Sequence, residues 1–347
     1  MAATQNQETR PEPSHPRALG QTDRVPDSAD VRTLVGDRTL TLTNLDKVLF
    51  PAVGYTKAEV ISYYAHIAPT LLPHVTDRAM TRIRFPDGVS EDAFSFYEKN
   101  APKGTPDWVR TAPVLTSDGV IDYVVADEEA TLVWLANLAA LEMHCPQWTV
   151  SSAVPEDSVI VLPGDDSRPG EPLANRVVVD LDPGAGMTVV DCARAALMVA
   201  ALLADDLMIP VPQTSGSKGM QVYAAVQPCR SADVAAYVRG LAKVLKRAQP
   251  DFYVLTMSVA QREGRIYVDH SQNAAAKNTV SPYSLRGRER PGVATPLTWD
   301  EVGAITRPED VAFTPEQVLD RVARHGDLAA ELITDLAPVL PGPVIAG

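Results

Sequence analysis

The sequence predicts an α+β fold, and three observations lead to it. Segments with the alternating period of strands and segments with the period of helices are mixed along the chain without strict alternation. A doubly wound parallel sheet would require that alternation. Two apolar runs that read as strands, Val177–Leu181 and Arg265–Val268, lead into acidic residues and a polar turn. Turns around Gly36-Asp37 and within Thr214–Gly219 have the composition of hairpins.

Taken in order, residues 1 to about 30 are polar, proline-rich and aperiodic, and read as a disordered tail. Arg32–Leu42 reads as a hairpin. Thr56-Lys-Ala-Glu59 is a capping box that opens a helix with Val60, Ile61, Tyr64, Ile67, Ala68 and Leu71 on one stripe. A second helix is expected over about 127–143, with Leu132, Leu135, Ala136, Leu138 and Ala139 inside. Residues 155–172 are rich in turn formers, apart from the apolar Val159–Leu162, and join two lobes, about 31–172 and 173–340. Beyond the strand at Val177 come a helix over about 189–206, a strand around Val211, and the strand Met220–Val226. Ser231 is read as the cap of a helix to about 248. Thr298-Trp-Asp-Glu301 and Thr314-Pro-Glu-Gln317 open two further helices, the latter with proline first.

The totals narrow the class. A chain of 347 residues, 45% hydrophobic, can bury a sizeable core. No apolar run is long enough to span a bilayer, and no secretion signal opens the chain, so a cytoplasmic protein is expected. Cys145, Cys192 and Cys229 are scattered and fit neither a disulfide framework nor a zinc site. The net charge of −13 argues against a general nucleic-acid coat protein. It is compatible with a local basic track, for which Lys47, Lys57, Lys99, Lys103, Arg262, Arg265, Arg286, Arg288 and Arg290 are the candidates.

Three short segments carry the chemistry. In Val177-Val-Val-Asp-Leu-Asp-Pro-Gly184, alternation puts Asp180 and Asp182 on one side of a strand end. Two carboxylates so placed repel unless a hard divalent cation lies between them. Asp269 ends the second strand, and beside the first it makes three carboxylates, enough for two cations. A solvated strand end and a turn cap are the plain alternatives for these acids. Thr214-Ser-Gly-Ser-Lys-Gly219 offers backbone N–H groups, the hydroxyls of Ser215 and Ser217, and the charge of Lys218 to a phosphate. It lacks the glycine spacing of a Walker loop, and a simple hairpin turn is its alternative. Phe96 and Tyr97, two adjacent aromatics, are candidates to stack on a base, or are core.

Other stretches join these: Leu45-Asp-Lys-Val-Leu-Phe-Pro51, Arg84-Phe-Pro-Asp-Gly88, Phe96-Tyr-Glu-Lys-Asn100, Pro106-Asp-Trp-Val109, Leu138-Ala-Ala-Leu-Glu-Met-His144, Thr279-Val-Ser-Pro-Tyr-Ser-Leu-Arg286 and Ala294-Thr-Pro-Leu-Thr-Trp-Asp300. From about residue 38 to 335 the chain resembles the polymerase domain of bacterial ligase D, in the archaeo-eukaryotic primase superfamily, in a stand-alone form. The resemblance implies a two-lobed primase-like polymerase fold, with a mixed or antiparallel catalytic sheet flanked by helices. It implies a primer-extending nucleotidyltransferase of end-joining or gap-filling DNA repair that works by two metals and prefers ribonucleotides. The implied cofactor is Mn²⁺ or Mg²⁺, and the substrates are NTP or dNTP.

By resemblance, Asp180, Asp182 and Asp269 bind the metals, and Ser215 and Lys218 hold the triphosphate. Gln272, Arg262 and Arg286 align with nucleotide contacts, and His144 with a histidine near the sugar and triphosphate. Lys47 and Lys57 match a pair that grips a 5′-phosphate on downstream DNA, and Lys57 falls in the first turn of its helix, where free N–H groups attract phosphate. Two departures stand out: Gln221 replaces a family histidine, and Ile83 stands where relatives often carry a basic residue. The implied partners are DNA with 5′-phosphorylated gaps or ends, a Ku homodimer and a separate ATP-dependent ligase. A monomer acting at the nucleoid, with no membrane association, is expected. Two competing readings are a non-catalytic DNA-end-binding module that keeps the fold, and an aspartyl-phosphate hydrolase, which Gly184 disfavours.

Overall fold

The computed structural model describes residues 30–90, 92–116, 119–153, 159–162 and 170–342. The expected tail lies outside the described residues apart from Asp30. A central sheet of five strands runs in the order Val211–Thr214, Met220–Arg230, Leu173–Pro183, Ile266–Asp269 and Tyr253–Val254. Every neighbouring pair is antiparallel except the last, which is parallel. The fold is α+β, and the sheet is mixed.

Alternation along the central strand sends Val177, Val179 and Leu181 to one face. There they join Met220, Val222 and Ala224 under the helices Val189–Asp205 and Ser231–Ala248. Burying each larger aliphatic side chain stabilises the fold by about 1.5–3 kcal/mol. The other face carries Val178 and Tyr223, which belong to a second apolar cluster. That cluster also holds the helices Lys57–Val75 and Glu129–Asn137. Both clusters draw residues from either side of residue 172. A second sheet orders the strands Thr279–Val280, Ala140–Cys145, Thr81–Arg84 and Phe96–Glu98.

Most local expectations hold. The hairpin pairs Val31–Val35 with Arg38–Leu42. The capping boxes of Thr56, Thr298 and Thr314 all form, and the predicted stripe from Val60 to Leu71 is buried. Within the expected lobe connection, Ile160–Val161 pairs parallel with Thr111–Thr116, and residues 154–158 and 163–169 lie outside the described residues. Among the described residues no helix is long and apolar enough to cross a membrane.

Two expectations are corrected. The helix expected over 127–143 stops at Asn137, Ala139 takes a left-handed φ of 57°, and Ala140–Cys145 is a strand. The apolar run Leu138–Leu141 fits either state locally; pairing with Thr81–Arg84 and Thr279–Val280 decides it. Ser231 is the first helical residue rather than the cap. The strand Met220–Arg230 runs straight into the helix, so Arg230 occupies the cap position and the Ser231 hydroxyl is buried without a partner.

Candidate active site

The carboxylates meet through strand register. Asp180 stands directly across from Asp269, and Asp182 follows on the same face of the central strand. Directly opposed residues have Cβ atoms about 4.5–5.5 Å apart and share a face. Burial raises the pKa of Asp180 well above the usual carboxylate range, and Asp182 and Asp269 add to that shift. Asp182 is raised by burial and by Asp269, while Arg262 opposes the shift. Asp269 behaves differently. Burial acts to raise it, but hydrogen bonds from Ser271, Gln272 and Tyr267 prevail and hold it low. Its Oδ1 accepts from the Ser271 N–H at 3.0 Å, the Ser271 hydroxyl at 2.6 Å and Tyr267 at 3.1 Å. Its Oδ2 accepts from Gln272 Nε2 at 2.8 Å. Asp269 thus caps the turn His270–Asn273 and faces Asp180 at once.

The Gly/Ser turn joins Val211–Thr214 to Met220–Arg230 as a hairpin loop. It is tighter than a free phosphate cradle. The N–H groups of Ser217 and Gly219 donate to Ser215 Oγ, and that of Gly216 donates to Thr214 Oγ1. Those amides are therefore engaged within the turn. The Ser215 and Ser217 hydroxyl protons and the exposed Lys218 ammonium remain to meet an anion. Gly219 allows the turn to sit on the catalytic strand: a Cβ there would lie 2.5 Å from the Leu181 carbonyl oxygen. Gly184 plays the same part at the other rim, where a Cβ would collide with the Arg262 carbonyl.

These parts open on one cleft of about 450 Å³. Asp180, Asp182, Ser215, Lys218, Arg262, Gln272, Arg286 and His144 all line it, so the structure brings together nearly every nucleotide-site residue expected from sequence. Arg262 stacks its guanidinium 3.7 Å from the Tyr267 ring centre. His144 reaches the cleft from strand Ala140–Cys145, not from a helix end. Burial lowers its pKa, although Glu142 opposes the shift.

Glu142 is a residue the sequence reading passed over. It is 3% exposed, accepts from His144 Nε2 at 2.9 Å and from the Gly287 N–H at 2.9 Å, and lies 3.2 Å from Arg286 Nε. The only sequence signal for it is its place two residues before His144, on the same strand face. Asn278 and Arg288 also line the cleft.

Five expected residues are not part of that lining: Asp269, buried across the strand from Asp180, and Lys47, Lys57, Phe96 and Tyr97. Lys47 and Lys57 are tied by a backbone bond, Lys57 N–H to Lys47 C=O at 2.8 Å. Lys57 is buried, and its ammonium donates to the Thr43 carbonyl at 2.5 Å; Lys47 donates to Asp87 at 3.2 Å. Burial, then the charge of Lys47, pushes the Lys57 pKa down to about 8. Phe96 and Tyr97 are strand neighbours and face opposite ways, so they do not stack on one base together. Phe96 packs with Phe94 and under Arg84, while Tyr97 bonds to Asn278 and lies edge-on to His144.

An all-oxygen donor set suits a hard cation such as Mn²⁺ or Mg²⁺. Among the described residues, no three His, Cys, Asp or Glu side chains gather closely enough to hold a metal ion unaided. The Asp269 oxygens are engaged by their own turn and by Tyr267. That arrangement fits the habit of Mg²⁺-type cations, which bind through one or two carboxylates plus substrate phosphates rather than in an all-protein cage.

The profile described as "LigD, primase-polymerase domain" matches residues 56–329. The chain is 41% identical over 299 residues to the multifunctional non-homologous end joining protein LigD of Mycolicibacterium smegmatis, covering 86% of this chain and 36% of that protein. It is 32% identical over 289 residues to the bifunctional LigD of Bacillus subtilis, covering 83% and 43%. The chain thus spans well under half the length of these relatives. Among solved structures, the polymerase domain of Mycobacterium tuberculosis ligase D in complex with DNA superposes with a TM-score of 0.76 at 39% identity, covering 85% of this chain and 98% of that one. The chain therefore belongs to the LigD primase-polymerase domain family, a family of nucleotidyltransferases.

Proposed function

We propose that this chain extends a primer on a DNA template during end-joining repair, using Mn²⁺ or Mg²⁺ and favouring ribonucleotides. One observation carries the reading: Asp180 and Asp182 line a cleft that also holds Ser215, Lys218, Arg262 and Arg286, and Asp269 opposes Asp180 in register. In the reaction the primer 3′-oxygen attacks the α-phosphorus of the nucleotide, the bond to pyrophosphate breaks, and the hydroxyl proton leaves to solvent. Bound cations would supply Lewis acidity, with Asp180, Asp182 and Asp269 as their protein ligands. Lys218, Arg262 and Arg286 would neutralise the triphosphate, and the Ser215 hydroxyl would donate to it. Lys47 and Lys57 would receive a 5′-phosphate on the downstream strand by releasing Asp87 and Thr43.

The DNA in the solved relative supports DNA as the partner, and the names of the relatives support the repair setting. Ku and an ATP-dependent ligase activity are the proposed companions. The test is a gapped, 5′-phosphorylated DNA incubated with Mn²⁺ and labelled NTP or dNTP. The wild type should extend the primer, with the NTP used better. Asp180→Ala and Asp269→Ala should extend nothing while their circular dichroism stays native. Extension by either variant sinks the assignment. A wild type that binds the gap but incorporates nothing is the non-catalytic end-binding module instead.

A further inference from the structure

Gln221 lies directly across from Asp180 in the antiparallel register, and Gln213 lies directly across from Gln221. Opposed residues share a face, so Gln213, Gln221, Asp180 and Asp269 form one row across four strands. The two glutamines are almost fully buried, at 1% and 4% exposure. The Gln221 side-chain carbonyl accepts from Gln213 Nε2 at 3.1 Å and from the Tyr223 hydroxyl at 3.0 Å. Both of its lone pairs are then used. The amide orientation is thereby set, with its NH₂ group turned away from Gln213 and Tyr223, and Gln221 lines the cleft together with Asp180.

The arrangement is costly as mere packing. The Gln213 carbonyl oxygen is buried without a partner. An acceptor left so loses its hydration without a replacement, a penalty that an apolar pair would avoid.

We infer that Gln221 is a positioning residue: its amide, locked by Gln213 and Tyr223, offers an N–H to one Asp180 oxygen so that the other is presented to a divalent cation. An amide suits this task because it orders the carboxylate without adding a positive charge that would repel the cation. A lysine or arginine in its place would compete with the metal. The inference rests on the carboxylate reading proposed above, and its test separates the two.

Mn²⁺ binding to the metal-free protein with NTP present is read from the electron paramagnetic resonance signal of free Mn²⁺, against a protein-free mixture of Mn²⁺ and NTP, with melting temperatures taken on the same samples. Groups that orient metal ligands are typically worth 10–100-fold in affinity, so Gln221→Leu should bind Mn²⁺ about 10–100-fold more weakly. Tyr223→Phe removes one of the two locking donors and should weaken binding by up to about tenfold. Asp180→Ala gives the reference for a lost ligand. A purely structural role would lower the melting temperature and leave Mn²⁺ affinity unchanged. Wild-type affinity in Gln221→Leu, with Asp180→Ala weakened, overturns the inference. Wild-type affinity in Asp180→Ala removes the carboxylate reading and this inference with it. If Gln221→Leu does not fold, Tyr223→Phe and Gln213→Leu decide, and wild-type affinity in both overturns it.

Discussion

Asp180 shows at the scale of one residue what a catalytic site costs its fold. Its folded pKa is raised by burial and by two neighbouring acids. A carboxyl of that kind takes up a proton on folding between its unfolded and folded values. Stability therefore falls as pH rises through that window, and the penalty is complete above it. Asparagine carries no such penalty. Asp180→Asn should raise the melting temperature of the metal-free protein at neutral pH while abolishing extension. The gain should shrink as the pH falls and Asp180 itself becomes neutral. A variant that melts no higher than wild type at neutral pH would refute this account. Sequence made Asp180 legible because a strand's alternation fixes where its side chains point. Glu142 was not legible. An acid inside an apolar run has no local mark that tells a partner of His144 from a misplaced surface charge.

Capping boxes were the most readable elements. Thr298 and Glu301 cap their helix reciprocally, and Glu301 also takes the buried Arg321 guanidinium as an ion pair. The hydrogen bond from Arg321, against the effect of burial, pulls the Glu301 pKa down to about 2. A depressed acid contributes stability above its unfolded value and loses it as the pH falls toward its folded one. Glu301→Ala should cost about 1–2 kcal/mol in denaturant unfolding at pH 7, and the deficit should narrow in acid. A constant deficit at all pH would show that the pair contributes nothing. The strand Ala140–Cys145 is not legible in the local sequence. Leu138–Leu141 is apolar throughout, and neither period stands out in it. Ser231 looked like a cap because serine favours that position, yet the preceding strand continues to Arg230 and takes the place itself.

At the scale of the whole molecule, the site is a meeting of two sheets. The central sheet supplies the carboxylates and the Lys218 turn, and the four-stranded sheet supplies His144 and Thr279. No closed protein cage for a cation exists among the described residues, so nucleotide and metal should complete each other's site. Mn²⁺ and NTP added together should raise the melting temperature by more than the sum of their separate shifts. Purely additive shifts would mean that the two bind independently.

The sequence by itself determined the chemistry on offer. Three acids at strand ends, a lysine in a glycine-bounded turn and the capping boxes are all written in adjacent residues, because alternation, turn formation and capping are local energies. Tertiary structure alone decided which of these groups meet. That Asp180 faces Asp269 and Gln221, that Glu142 holds His144, and that Phe96 turns its back on Tyr97's side all follow from strand pairing and burial. Those energies belong to contacts between distant segments, and a single stretch of chain does not contain them.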